Sequence, residues 1–193
     1  LVSSSAASDV YKRQEEGARK LTRADELAPG NPQVIRTLIA LDRSAGNLDS
    51  AVARARAAAE ADPEDSEVSE LLGEVLLLTG ETEAGRAALE KAIELEPRNV
   101  TAHLVLADHV ARGADVEGMV AILERAATAV PESADLQYRL AQAYDRVQRT
   151  DDALEAYGRT ISLNPEYSMA KNNLAYLLAE NGGDLDRALE LAQ

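Results

Sequence analysis

The sequence predicts an all-α protein, an α-solenoid of antiparallel helix pairs with a 34-residue repeat. Five of the six prolines, Pro29, Pro63, Pro97, Pro131 and Pro165, stand 34 residues apart. A leucine column at Leu38, Leu72, Leu106, Leu140 and Leu174 keeps the same step. A fixed period of this length marks a stack of helix-pair units, in which length counts repeats and no closed catalytic pocket is built. The chain is 46% hydrophobic yet has no Phe, no Trp and six Tyr in 193 residues. Its core must therefore come from Leu, Ala, Val and Ile, a composition that suits helix packed on helix.

Residues 1–14 match no part of the repeat. The chain opens at Leu1 without methionine, and Asp9-Val10-Tyr11-Lys12-Arg13-Gln14 looks like a translated sequencing-library adapter. The alternative is a polar linker; on either reading 1–14 is a disordered segment without function. The array then occupies 15–193, with half a repeat at 15–31, full repeats at 32–65, 66–99, 100–133 and 134–167, and a partial repeat at 168–193. Because the helical pattern is still running at Gln193, both ends read as cuts in a longer protein, and localisation stays open. Within 66–99, Leu71, Leu72, Val75, Leu76 and Leu78 form an apolar helical stripe that ends at Thr79-Gly80, where Gly can take the left-handed conformation that closes a helix. A second helix follows from about Glu83, with Ala84, Ala88, Leu89, Ala92, Ile93 and Leu95 at helical spacing, until Pro97 stops it. The next repeat turns at Arg112-Gly113 and closes at Pro131; the one after turns at Gln148-Arg149-Thr150 without glycine and closes at Pro165. Short turns force the two helices of each pair antiparallel, and stacking covers the apolar side that each pair leaves open.

The pairs Leu72-Gly73, Leu106-Ala107, Leu140-Ala141 and Leu174-Ala175 precede a small residue opening the second helix (Ala51, Gly85, Ala153, Ala188), an Ala late in it (Ala24, Ala58, Ala92, Ala126) and a closing Pro. This pattern resembles the tetratricopeptide repeat of bacterial-type arrays, over residues 15 to 193. The resemblance implies a right-handed solenoid in which small residues sit where helices cross closely. Three positions depart from it. Ile39 replaces a small residue while Ala55 fills a column that usually holds a large one, so volume is expected to be exchanged within that pair. Met119 takes the small place that opens a second helix, where its flexible side chain can fold into a gap. Asp42 stands in a column that elsewhere holds Leu76, Val110, Tyr144 and Leu178, so it should be partly exposed or paired with an Arg.

Charge and composition exclude several classes of function. A net charge of −14 repels phosphate backbones and anionic headgroups, and no Lys/Arg cluster interrupts it. This argues against nucleic acid as a partner and against direct membrane insertion, and no apolar stretch is long enough to span a bilayer. The absence of Cys removes disulfides, thiolate metal sites and Cys nucleophiles. His103 and His109, six apart, fall on different helix faces and do not form a metal pair. Gly182-Gly183 lacks the Lys-Ser/Thr of a phosphate loop, and Asp151-Asp152 and Glu15-Glu16 suit helix starts. No nucleophile, acid–base pair, cofactor or metal site is expected, so the chain reads as non-catalytic.

In tetratricopeptide arrays the first helices line a concave groove. By that resemblance the groove would be lined by Glu67, Glu70 and Glu74, then Asp108, then Asp135, Tyr138, Gln142 and Asp145, and finally Met169, Asn172 and Tyr176. The result would be an acidic channel with two tyrosines towards its C-terminal end, or else a solvated charged face. Of the basic clamp with which chaperone-binding members hold a peptide carboxylate, only Asn173 matches, since Leu71, Thr101 and Val105 stand where Lys and Arg are required. The expected function is a protein–protein interaction scaffold for protein or peptide segments, basic ones favoured. Two alternatives are a regulatory or substrate-docking arm of a larger enzyme, such as a glycosyltransferase, protease or kinase, and, from the segment 171–185, a secreted or lipid-anchored protein of bacterial exopolysaccharide export or surface sorting.

Overall fold

The computed structural model describes residues 31–181 and 184–191, together with Gly17, Arg19 and Arg23, which are helical. Segment 1–14, the rest of the half repeat, Gly182, Gly183, Ala192 and Gln193 lie outside the described residues. First helices run over α1 (Pro32–Ser44), α3 (Ser66–Thr79), α5 (Val100–Arg112), α7 (Ala134–Arg146) and α9 (Ser168–Glu180). Second helices are α2 (Leu48–Ala61), α4 (Thr82–Leu95), α6 (Val116–Ala129), α8 (Thr150–Leu163) and α10 (Leu185–Leu191), and no strand occurs among the described residues.

Helix ends follow the repeat closely. The side chains of Asn31, Asp65, Asn99 and Ser133, 34 residues apart, accept hydrogen bonds from backbone N–H groups in the first turns of α1, α3, α5 and α7. Such caps satisfy donors that a helix cannot satisfy itself. The turns after α1, α3, α5 and α7 each place one residue in the left-handed region, Gly46, Gly80, Ala114 and Gln148, at φ of 77°, 85°, 64° and 59°. Gly113, on which the third of these turns centres in the sequence, has φ −75°; the left-handed residue is the Ala114 that follows it.

Two compact units make up the chain, Leu1–Leu95 and Glu96–Gln193. In unit 1, α1 to α4 pack each on the next, and α1 also touches α3. Its core joins Ile35, Ile39, Ala51, Ala55, Val68 and Val75. Ile39 is 2% exposed and Ala55 fully buried in that one cluster, so the large and small residues have traded places within the hairpin. Asp42 is partly exposed and accepts a hydrogen bond from Arg54 Nε at 3.2 Å, the pairing that its apolar column requires. Helices α3 and α4 approach so closely at Gly73 that a Cβ there would lie 2.6 Å from Leu89 Cγ and 3.0 Å from the Gly85 carbonyl oxygen.

In unit 2, α5 to α10 also pack each on the next. Met119 is buried against Ala107, Leu123 and Leu140, filling the place of a small residue. His103 is fully buried, its Nε2 3.0 Å from the Pro97 carbonyl oxygen, a structural contact that ties α5 to the proline turn before it.

Candidate functional site

On α3 of unit 1, the 3,4 spacing of Glu67, Glu70 and Glu74 aligns them along one side of the helix. That side meets α1. Gln33 Nε2 donates to Glu67 at 3.1 Å and Arg36 donates to Glu70 at 2.8 Å, each pair 34 residues apart; Arg43 stands 4.0 Å from Glu74. Glu70 is only 3% exposed. The three carboxylates therefore form a polar ladder between successive first helices. Burial, and next the neighbouring Glu70, hold the Glu74 carboxyl above the usual carboxylate range, while the Arg36 guanidinium is raised despite its burial by the carboxylates it faces, Glu70 foremost.

Unit 2 arranges its first helices differently. Tyr138 is 8% exposed, with its ring centroid 4.9 Å from that of Tyr167 and 5.9 Å from that of Tyr157. Its hydroxyl accepts from Gln142 Nε2 at 3.2 Å and from Asn173 Nδ2 at 3.4 Å, and Asn173 also donates to Tyr157 at 3.1 Å. Tyr138 was expected to offer an exposed ring; it is inside, because Tyr167 in the turn before α9 folds over it and donates its own hydroxyl to Asp135 at 3.0 Å. Tyr176 is the exposed aromatic, at 60%, and Met169 is 58% exposed; Asn172 and Asp145 are also on the surface. Tyr157 and Tyr167 are both pushed up to about 12, first by burial, and for Tyr167 next by its bond to Asp135.

Between α5, α6 and α7 an open cleft of about 340 Å³ has an apolar floor that includes Leu104, Ala107, Met119 and Leu123. Asp108, Arg139, Gln142 and Arg146 stand around it, and Arg139 lies 3.5 Å from Asp108. Two of the sequence-predicted groove residues, Asp108 and Gln142, thus meet at one cavity, and Leu104 from the same helix face floors it. The basic components, Arg139 and Arg146, escaped the sequence reading, because only the fold shows which helix face their long side chains reach across. No group of His, Asp or Glu able to hold a metal ion is found among the described residues, and no helix among them is long and apolar enough to cross a membrane.

The family profile described as tetratricopeptide repeat matches residues 41–94, 79–134 and 138–193. The chain belongs to the tetratricopeptide repeat family. Its structure is similar to the crystal structure of MamA, with 25% identity, 78% of this chain and 88% of that one covered, and a TM-score of 0.64. It is also similar to MamA 41-end from Desulfovibrio magneticus RS-1, at 20% identity, 83% and 90% coverage and a TM-score of 0.62. A third likeness is to YrrB, described as a TPR protein with an unusual peptide-binding site, at 18% identity, 90% and 89% coverage and a TM-score of 0.62. The comparison with curated proteins finds no match. Tetratricopeptide repeat proteins bind peptides or other proteins and are generally non-catalytic scaffolds, and this chain has that fold.

Proposed function

We propose that this tetratricopeptide array is a scaffold that holds a protein segment on the first-helix face of unit 2. The observation that carries the reading is the cleft of about 340 Å³ between α5, α6 and α7, apolar at its floor and charged at its edge. An apolar side chain seated on Leu104, Ala107, Met119 and Leu123 would gain burial, while Asp108 and Arg146 would pair with charges flanking that anchor. This is the usual division of work between the centre and rim of an interface. Exposed Tyr176 and Met169 extend the same face along α9 with contact area of low polarity. The ladder of unit 1 already pairs Glu70 with Arg36, so its carboxylates act first as structure. Attraction of basic segments would rest mainly on Asp108, Asp135 and Asp145 and on the net charge of the chain.

The YrrB likeness supports a peptide as the occupant. A peptide library selected on the full chain should be re-measured against Ala111→Trp, which projects a large ring into the cleft. Peptides that bind through this site should weaken by roughly tenfold or more, the scale of losing one buried anchor. Equal affinity, with the variant's helical circular dichroism unchanged, would falsify this placement of the site.

A further inference from the structure

Unit 2 carries a second cleft, on the side formed by its second helices. Helix α7 lies between α6 and α8, and the space above it encloses about 450 Å³, within the range of ligand pockets. Leu140 of α7, Ala127 of α6 and Ala156 of α8 make its floor apolar. One end is closed by a fixed polar cluster: Arg149 bonds Glu124 at 3.0 Å and Asp152 at 2.6 Å, and lies 4.3 Å from the centre of the Tyr144 ring. The Tyr144 hydroxyl donates to Glu124 at 2.9 Å. Those carboxylates are engaged within the fold.

Three other side chains of the cleft, Gln137, Glu155 and Arg159, are not. Gln137 is 4% exposed and lines the cavity, yet its side-chain amide makes no hydrogen bond among the described residues. The residue is buried as a whole, but its amide atoms are not sealed from solvent, so the polar end of this side chain is open to the cleft it lines. Glu155, one turn before Arg159 on α8, is exposed at the cleft edge without an ion pair among the described residues.

We propose that this cleft receives a Lys or Arg side chain from a partner protein, its stem on Leu140, Ala127 and Ala156, its cation at Glu155, and a polar group of the segment on the Gln137 amide. Charge selects the occupant. Around the cleft three carboxylates, Glu124, Asp152 and Glu155, stand against two guanidinium groups, Arg149 and Arg159, on a chain of net charge −14. An acidic side chain would meet Glu155 in that field, and a second copy of the chain would bring the same negative charge against it. Arg159, at the opposite edge, leaves room for an acidic or carbonyl group next to the basic residue in the bound segment. This site is separate from the cleft between α5, α6 and α7 and serves a second point of attachment.

The test uses the isotope-labelled full chain and a blocked Ala-Arg-Ala peptide, with blocked Ala-Glu-Ala as its match, followed by nuclear magnetic resonance. The Arg peptide should shift the Gln137 side-chain amide and the backbone amides around Ala127 and Ala156; the Glu peptide should not. Glu155→Gln and Gln137→Leu should each weaken the Arg peptide by roughly five- to tenfold, the value of one charge-assisted or buried hydrogen bond. Gln137→Leu should keep or raise the thermal midpoint, whereas a purely structural Gln137 would lower it. Three results would each overturn the proposal: equal shifts with both peptides, no shift at these residues, or an Arg-peptide affinity that Glu155→Gln leaves unchanged. Shifts confined to Leu104, Ala111 and Gln142 would overturn it too, and would assign the peptide to the first-helix cleft instead.

Discussion

Residues 31–95 contain no tyrosine, whereas unit 2 holds five, and the two units fill the gap between successive first helices in different ways. In unit 1 the gap between α1 and α3 is bridged by Gln33–Glu67 and Arg36–Glu70. In unit 2 the gap between α7 and α9 is filled by stacked Tyr138 and Tyr167, with Asn173 and Asp135 bonding their hydroxyls. The 34-residue step sets which positions face one another. It does not set their chemistry. A repeat fold thus keeps its geometry while the chemistry between first helices changes, from charge between α1 and α3, through the Arg139–Asp108 pair between α5 and α7, to aromatic area between α7 and α9.

The largest way to separate the units is alkaline pH. Tyr144, Tyr157 and Tyr167, all in unit 2, are each pushed up to about 12, with burial the first cause in every case. An unfolded tyrosine releases its proton near pH 10. Above that pH the unfolded state binds fewer protons than the native state, so stability is complete below about pH 10 and is lost as pH rises towards 12. Tyr157, 1% exposed, should dominate, since the other two are partly open to solvent. Tyrosinate absorbance should rise together with loss of part of the helical signal, leaving the remainder to unit 1. Titration near pH 10 with no loss of helix would show that the buried phenols do not hold unit 2 together, and Tyr157→Phe should delay the transition.

Next in size is the helix crossing of unit 1. Gly73→Leu drives a side chain into Leu89 and the Gly85 carbonyl, where a Cβ alone would stand 2.6 and 3.0 Å away. Overpacking of this kind costs about 1–3 kcal/mol, and the backbone on one side leaves the upper end more reachable. Hydrogen exchange should show the loss in α3 and α4, with the amides of α7 and α8 unchanged. Uniform protection across both units would mean that the two helices relax apart freely at Gly73.

This crossing was legible in the sequence because a small residue recurred at one place in the period. So were the proline turns, the Ile39 and Ala55 exchange and the need of Asp42 for a partner, since each follows from volume or charge in a known column. The cap column at Asn31, Asp65, Asn99 and Ser133 was equally open to reading and carried a signal in four consecutive repeats. What lay beyond reach were contacts set across the stack. The burial of Glu70 depends on Arg36 coming from the preceding first helix, and that of Tyr138 on Tyr167 folding back from a turn. Helical spacing places such residues on a face but does not say what faces them. The Gln137 cleft is still less visible, because three helices from two repeats build it and its signature is a hydrogen bond that is missing.

The smallest effect concerns the turns, where the units differ in whether the left-handed residue carries a Cβ. Gly46 and Gly80 hold the left-handed place in unit 1, while Ala114 and Gln148 hold it in unit 2. A residue with a Cβ pays about 1–2 kcal/mol in that conformation, part of which is returned because glycine loses more freedom on folding. Ala114→Gly should therefore stabilise unit 2 by about 0.5–1 kcal/mol, and Gly80→Ala should destabilise unit 1 by a similar amount. The neighbouring Gly113 offers no such relief, since its φ of −75° is open to any residue. Gly113→Ala brings its Cβ to 3.3 Å from the Val110 carbonyl oxygen, a contact that a slight shift relieves, so it should be nearly neutral. Chemical denaturation of the three variants puts these signs side by side. A gain from Gly113→Ala that exceeds the gain from Ala114→Gly would mean that the turn closes one residue earlier, and that the left-handed column of unit 1 does not continue into unit 2.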